Sequence, residues 1–180
     1  MIRCYAPYQG HQIILDFELY WYWIPIINYC YSSTHSVFAI CRNFNIYSVI
    51  DAPFIFLAQY LHSDELYIVP NPTLVQMGEV LGTPKIPVTL LPVSARCGST
   101  LMVQIFGRLD QVRVQSEPWS MLDVHVLYKR GEIAMPQYKQ LLKAIMRLQL
   151  KPDPERRVKH MVVKFSPFAT AQIPMIREIL

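Results

Sequence analysis

Residues 85–94, KIPVTLLPVS, restrict the fold more than any other part of this 180-residue chain. The run is β-branched and leucine-rich without alternation, which is the pattern of a parallel strand buried on both faces. A polar knot at residues 95–100 follows it, then a second apolar run that predicts a helix over 100–109. Further along, VRVQS predicts a second strand and VKHMVVKF a third. Between them, EPWSMLDVHVLYKRG reads as a loop and helix. MPQYKQLLKAIMRLQL is a clearer helix, with Pro136 near its start and Leu141, Leu142, Ile145 and Leu148 on one face. Upstream, DELYIVP predicts a short strand and NPTLVQMGEVLG a helix, with Asn71 as its cap, Pro72 at the first helical position and Gly82 ending it. KPDPERR is a turn-rich link, and TAQIPMIREIL begins another helix. Strand–helix alternation of this kind implies an α/β fold: a three-layer α/β/α parallel sheet with right-handed crossovers.

Ligands bind such sheets beyond the C-terminal ends of the strands. Those ends fall at residues 94–98, 115–118 and 164–167, and all three stretches are polar. In the first, Gly98 permits a tight turn and close backbone approach. The amides of Gly98, Ser99 and Thr100 open the helix, where unpaired N–H groups favour an anion. Arg96 adds a fixed bidentate charge. Ser99 and Thr100 equally suit a plain helix cap.

Three other loop chemistries can be compared with the same letters. A Walker loop needs a lysine after its last glycine, and Gly98 is followed by Ser99. A cysteine-phosphatase loop needs an arginine where this chain has Val103. A redox role for Cys97 gains from the helix N-terminus and Arg96 but has no CxxC partner.

Charge is divided along the chain. Residues 1–84 hold two basic and six acidic side chains, whereas residues 85–180 hold fifteen basic and seven acidic. The basic half contains the anion-type loop, and a basic field concentrates phosphate- or sulfate-bearing ligands. The basic residues are not interleaved with an aromatic platform, which speaks against nucleic acid. The cysteines, at 4, 30, 41 and 97, form no zinc-type spacing, so no metal site is expected. A disulfide among the first three stays open.

Residues 1–50 read as an irregular, aromatic-rich segment, and residues 51–180 as the α/β domain. Residues 19–41 carry no charge and are long enough to span a bilayer, yet Pro25 and the SSTHS stretch interrupt them. Interfacial or partner packing of this segment is expected over a true span. Cytoplasmic and Golgi-type settings are both compatible with the chain.

The loop also resembles a known family. PVSARCGSTLM is similar to the 5′-phosphosulfate loop of the sulfotransferase superfamily, whose pattern is roughly Pro-Arg/Lys-Ser-Gly-Ser/Thr-Thr-Leu. LDQVRVQSEPW resembles the strand that follows it, where the tyrosylprotein and carbohydrate branches carry a glutamate. The similarity runs over about residues 64–180. It implies a P-loop-type sheet, 3′-phosphoadenosine 5′-phosphosulfate (PAPS) as cofactor, and a small-molecule, carbohydrate or protein hydroxyl as acceptor. Arg96, Cys97, Gly98, Ser99 and Thr100 would bind the cofactor, Glu117 would be the base and Lys164 would neutralise developing charge. Glu117 also suits a structural Glu-Pro turn, and Lys164 a solvated strand-end charge.

The departures from the pattern are specific. Cys97 stands where the family has Ser or Thr, and the stretch Lys164-Phe165-Ser166-Pro167 lacks the histidine of the cytosolic Lys-Thr-His motif. His125 and His160 match no motif and read as surface or structural residues. The arginine and serine that grip the 3′-phosphate are expected beyond Leu180, and Arg147, Arg156 and Arg157 lie in other elements. The domain thus reads as incomplete. The alternative to a sulfotransferase is a catalytically inactive P-loop domain serving as an anion-binding or protein-interaction module. Three strands with an open edge also predict self-association.

Overall fold

A computed structural model describes the backbone of residues 3–8, 11–16, 27–30, 33–40, 65–151 and 158–180, and the side chains of 33–36, 68–151 and 158–180. Strands β1 (Arg3–Tyr8) and β2 (His11–Asp16) form an antiparallel pair. Strands β3 (Ile27–Cys30), β4 (His35–Ile40) and β5 (Glu65–Pro70) form an antiparallel sheet in that order. The first fifty residues, expected to be irregular, therefore contain four strands. Apolar residues at both parities, as in HQIILD, hide the period of two that marks a half-buried strand. The β4–β5 pairing also crosses the expected boundary near residue 50. Of residues 19–41, residues 27–30 and 35–40 are strands, and no helix among the described residues is long and apolar enough to cross a membrane.

Helix α1 (Asn71–Leu81) follows β5 directly. Asn71, expected as its cap, is the first helical residue, and Pro70 takes the cap position. The Asn71 side chain is used across space instead: Ser36 Oγ donates to its Oδ1 at 2.7 Å, and its Nδ2 donates to the Ser33 carbonyl at 3.0 Å. A buried amide needs partners, and here they tie α1 to the start of β4. Gly82 closes the helix at φ +69°, a conformation only glycine adopts without cost.

The rest is α/β. Strand β6 (Val88–Leu91) leads into helix α2 (Ser99–Gly107) and strand β7 (Val112–Ser116). Helices α3 (Trp119–Lys129) and α4 (Met135–Gln149) precede strand β8 (His160–Lys164), and a short 3₁₀ turn at Thr170–Gln172 opens helix α5 (Ile173–Ile179). The three strands are parallel in the order β6-β8-β7, so the last strand lies between the first two. One connection then runs from β6 past β8 to β7, and the next returns. Crossovers of a single hand put such opposed connections on opposite faces of the sheet.

The packing agrees. On one face Val114 and Val162 meet Val103 and Phe106 of α2, with Leu91 and Val112 alongside. On the other, Met161 and Val163 join the main core with Leu74 of α1, Met121 and Val124 of α3, Leu141, Leu142, Ile145 and Leu148 of α4, and Ile176 of α5. Here α1 and α4 approach so closely that a Cβ on Gly78 would lie 2.6 Å from the Cα of Ala144. Arg147 of α4 is buried in this layer, paired at 2.9 Å with Glu79 and donating to the Gly78 carbonyl at 3.3 Å.

One strand differs from its reading. The KIPVTLLPVS run, expected to be buried on both faces, is only half-buried at Val88, Leu90 and Leu91 and exposed at Thr89. Strand order explains this: β6 is an edge strand, and the doubly covered place belongs to β8, where residues 161–164 are all buried. The small α2 layer has a further consequence. Leu101 and Ile105 of α2, and Leu109 just beyond its end, stay exposed.

Asp123 on α3 gives a testable oddity. One of its carboxylate oxygens is buried without a partner, and desolvation pushes its pKa up from 3.8 to about 6. The folded state therefore holds a proton the unfolded chain releases, and stability falls as pH rises from about 4 to about 6. Asp123→Asn is expected to stabilise the protein by about 1–2 kcal/mol at neutral pH, discounted for residual solvent contact, and by almost nothing near pH 3.5. Urea unfolding of both proteins at the two pH values checks this, and a pH-independent difference would rule the account out.

Candidate functional site

Three loops meet at the C-terminal end of the parallel sheet, and backbone bonds tie them together. The amide of Glu117, after β7, donates to the Lys164 carbonyl at 2.8 Å, and the Phe165 amide donates to the Leu91 carbonyl at 3.1 Å. Thr170 Oγ1 reaches both the Ser166 carbonyl at 3.2 Å and the Val93 carbonyl at 3.5 Å. The convergence expected from strand order alone is therefore present. It falls where the connections leaving neighbouring strands β6 and β8 diverge, the usual ligand crevice of an open α/β sheet.

The loop between β6 and α2 turns through two left-handed residues, Arg96 at φ +61° and Gly98 at φ +76°. Gly98 meets that need freely, whereas Arg96 does so at roughly 1 kcal/mol of strain. Helix α2 starts one residue earlier than expected, at Ser99. The Met102 amide closes its first turn on the Gly98 carbonyl at 3.2 Å, which leaves the amides of Ser99, Thr100 and Leu101 outside the helical ladder. A Cβ on Gly98 would meet nothing within 4 Å, so the glycine is required by its left-handed backbone and not by crowding. Arg96, Cys97 and Thr100 are exposed and Ser99 is partly so. The Cys97 thiol is held below its ordinary pKa, chiefly by the Ser99 hydroxyl, with the Ser99 amide and Ser94 adding to it. Some of the loop's donors are thus turned toward the sulfur.

The second part of the site is an ion pair. Lys164, the last residue of the central strand, is 4% exposed, so its reading as a solvated strand-end charge is corrected. It is flanked in register by Leu91 and Ser116, and it shares the parity of Val162, which faces α2. Its Nζ donates to Glu117 Oε1 at 2.5 Å, and the two side chains are 5% and 22% exposed. Glu117 is itself left-handed at φ +49°. A lysine brought this far out of water needs a compensating carboxylate close by, and the turn at Glu117 supplies it. Glu117 does not cap α3, whose cap position is Pro118 with no side-chain bond.

The remaining candidates separate from this cluster. Gln115 faces the other layer, where its Nε2 donates to Gln149 Oε1 and Gln149 Nε2 reaches Ser120 Oγ at 3.4 Å. His160 shares a 2.8 Å hydrogen bond with Thr89, and His125 shares one of 3.1 Å with the Tyr138 hydroxyl, so both are structural. Arg147 is committed to Glu79, and Arg156 and Arg157 lie outside the described residues. The side chains of Cys4, Cys30 and Cys41 also lie outside them. Among the described residues, no hydrogen bond or ion pair joins residues 96–100 to Glu117 or Lys164. The sequence reading missed the buried polar set Gln115–Gln149–Ser120. The VRVQS run held no signal for it, because Gln115 shares its parity with Arg113 and the two read as a solvent-facing polar side.

No family model, curated protein or solved structure matches this chain.

Proposed function

We propose that this chain is a sulfotransferase-like domain of P-loop type, binding the 5′-phosphosulfate of PAPS at the β6–α2 loop and acting on a hydroxyl acceptor. The observation that carries the reading is the buried Lys164–Glu117 pair at the end of the central strand, at the same end of the sheet as the start of α2, where the Thr100 and Leu101 amides lie outside the helical ladder. The residues fit the 5′ end of the cofactor: Ser99 and Thr100 offer amides and hydroxyls, and Arg96 offers a guanidinium. Cys97 is small enough for its place in the loop. Arg147, a candidate by charge for the 3′-phosphate, is committed to Glu79. PAPS would supply an electrophilic sulfuryl group on a phosphate leaving group. The chain's part is to hold the anion, to place the Lys164 charge near the transferred oxygens, and to accept the acceptor's proton on a Glu117 carboxylate oxygen.

A second reading is favoured by two observations. Glu117 is neutralised by Lys164, and Ser94 and Ser99 donate to Cys97. Both suit a domain that binds anions weakly or serves protein interaction without catalysis. The exposed Leu101, Ile105 and Leu109 would then mediate self-association.

Calorimetric titration with 3′,5′-adenosine diphosphate separates the two. Binding that weakens by about tenfold to a hundredfold in Arg96→Ala is the result expected of a working anion loop. Equal binding by the variant, or none by a demonstrably folded chain, transfers the lead to the second reading.

A further inference from the structure

Helix α3, helix α4 and the turn that opens α5 are joined by one short chain of polar groups. His125 of α3 shares its 3.1 Å hydrogen bond with the Tyr138 hydroxyl of α4, and that hydroxyl donates to Gln172 Oε1 of the turn at 3.2 Å. Tyr138 and Gln172 are buried, and the Tyr128 ring stacks on Tyr138 with centroids 5.0 Å apart. Burial, with Tyr128 adding to it, pushes Tyr138 up to about 12, so the phenol keeps its proton wherever a histidine titrates. One hydroxyl proton then has to serve two neighbours. With a hydrogen on His125 Nδ1, the hydroxyl donates to Gln172 Oε1, and Gln172 Nε2 is left buried without a partner. With Nδ1 bare, the hydroxyl can donate to the ring, and a flipped Gln172 amide can donate its N–H to the phenol oxygen. The group then left unpaired is a carbonyl, the milder of the two losses. Neutral histidine can take either arrangement. The imidazolium, with hydrogens on both nitrogens, takes only the first.

We propose that His125, Tyr138 and Gln172 form a pH-operated latch, which holds the Thr170–Gln172 turn and α5 against α3 and α4 while His125 is neutral and loosens them when it is protonated. Protonation locks in the arrangement that strands the Gln172 amide N–H away from water, and this weakens the seat of the turn. The surroundings oppose the charge. Burial, and then the Lys129 ammonium one turn along α3, hold His125 below its ordinary 6.5, so the latch is closed above that pH and opens as pH falls below it. On the facing elements, Lys139 of α4 and Glu178 of α5 pair with each other at 2.7 Å. Strand β3, which also packs on α3, has the sequence INYC and brings no group that titrates in this range. Asp123, two residues before His125, acts with the opposite sign, since acid favours its folded form. Opening reaches the end of the sheet, because Thr170 in the same turn holds the Val93 and Ser166 carbonyls.

The test is hydrogen exchange read by mass spectrometry on the full chain, at about pH 7.5 and about pH 5.5 and corrected for intrinsic exchange. The Asp123→Asn background is used, so that His125 is the group on α3 that titrates in between. Protection of the turn and α5, residues 170–179, is expected to fall roughly tenfold at the lower pH while that of β8 is unchanged. His125→Asn, which places an uncharged acceptor where Nδ1 stands, is expected to keep full protection at both pH values. Tyr138→Phe, which keeps the ring and removes the hydroxyl, is expected to show the lowered protection at both. An α5 whose protection does not change with pH, the same fall in His125→Asn, or an equal fall across β8 would each overturn the proposal. So would a Tyr138→Phe protein that still responds to pH.

Discussion

Glu117→Ala is expected to lower the unfolding free energy by about 3–5 kcal/mol, because it strands the charge of Lys164 in a site that excludes water. Lys164 is 5% exposed at its side chain and has Glu117 as its ion-pair partner. With the carboxylate gone, the ammonium must lose its proton, draw in water or move out of the strand end, and each of these is costly. The backbone contributes little to the difference, since alanine and glutamate suffer similarly at φ +49°. The companion variant Lys164→Met should be milder, because the carboxylate it leaves is 22% exposed and can reach solvent. The double variant Glu117→Ala/Lys164→Met should recover most of the loss, as buried pairs replaced by apolar groups usually do. Urea unfolding of the four proteins gives the coupling directly. If the double variant loses the sum of the two single losses, the pair does not interact as described.

The second large effect is expected at a residue with no side chain. A Cβ on Gly78 would sit 2.6 Å from the Cα and 2.8 Å from the Cβ of Ala144. Backbone cannot give way as a flexible side chain does, so α1 and α4 would have to separate. Separation loosens the buried contacts around Leu74, Met77 and Ile145 and the Arg147–Glu79 pair. Gly78→Leu is expected to cost about 3 kcal/mol or more by overpacking. Gly78→Ala should cost less, since alanine's helix propensity returns about 1 kcal/mol. Ala144→Gly, destabilising on its own, should partly rescue Gly78→Ala. Denaturant midpoints for the single and double variants test this, and additive losses would mean that the two positions do not touch.

Reading this chain from its letters succeeded wherever local chemistry decides the outcome. The apolar stripe of MPQYKQLLKAIMRLQL became the buried face of α4, the Pro-to-Gly span 72–82 became α1, and the three runs after residue 85 became parallel strands. Failures came where a residue's environment is set by a distant part of the chain. Asn71 has the composition of a cap, but its partners are Ser33 and Ser36. The strands of the first fifty residues arise from cross-strand pairing, which periodicity detects poorly when both faces are apolar.

The candidate site divides along the same line. That residues 94–98 form a tight turn into a helix with open amides follows from Gly98 and the polar letters around it, because turn and cap chemistry act over a few residues. That Lys164 is buried and Glu117 is its counter-ion does not follow from any local pattern. The β6-β8-β7 order places HMVVK at the centre of the sheet and a left-handed residue of another loop within 2.5 Å of its lysine. The same order leaves KIPVTLLPVS, the more apolar-looking strand, at the edge. Composition and periodicity determined which segments are strands and helices. Which strand is covered on both faces, and which charge is removed from water, was decided only by the order in which the strands pair, because burial depends on neighbours contributed by the whole chain.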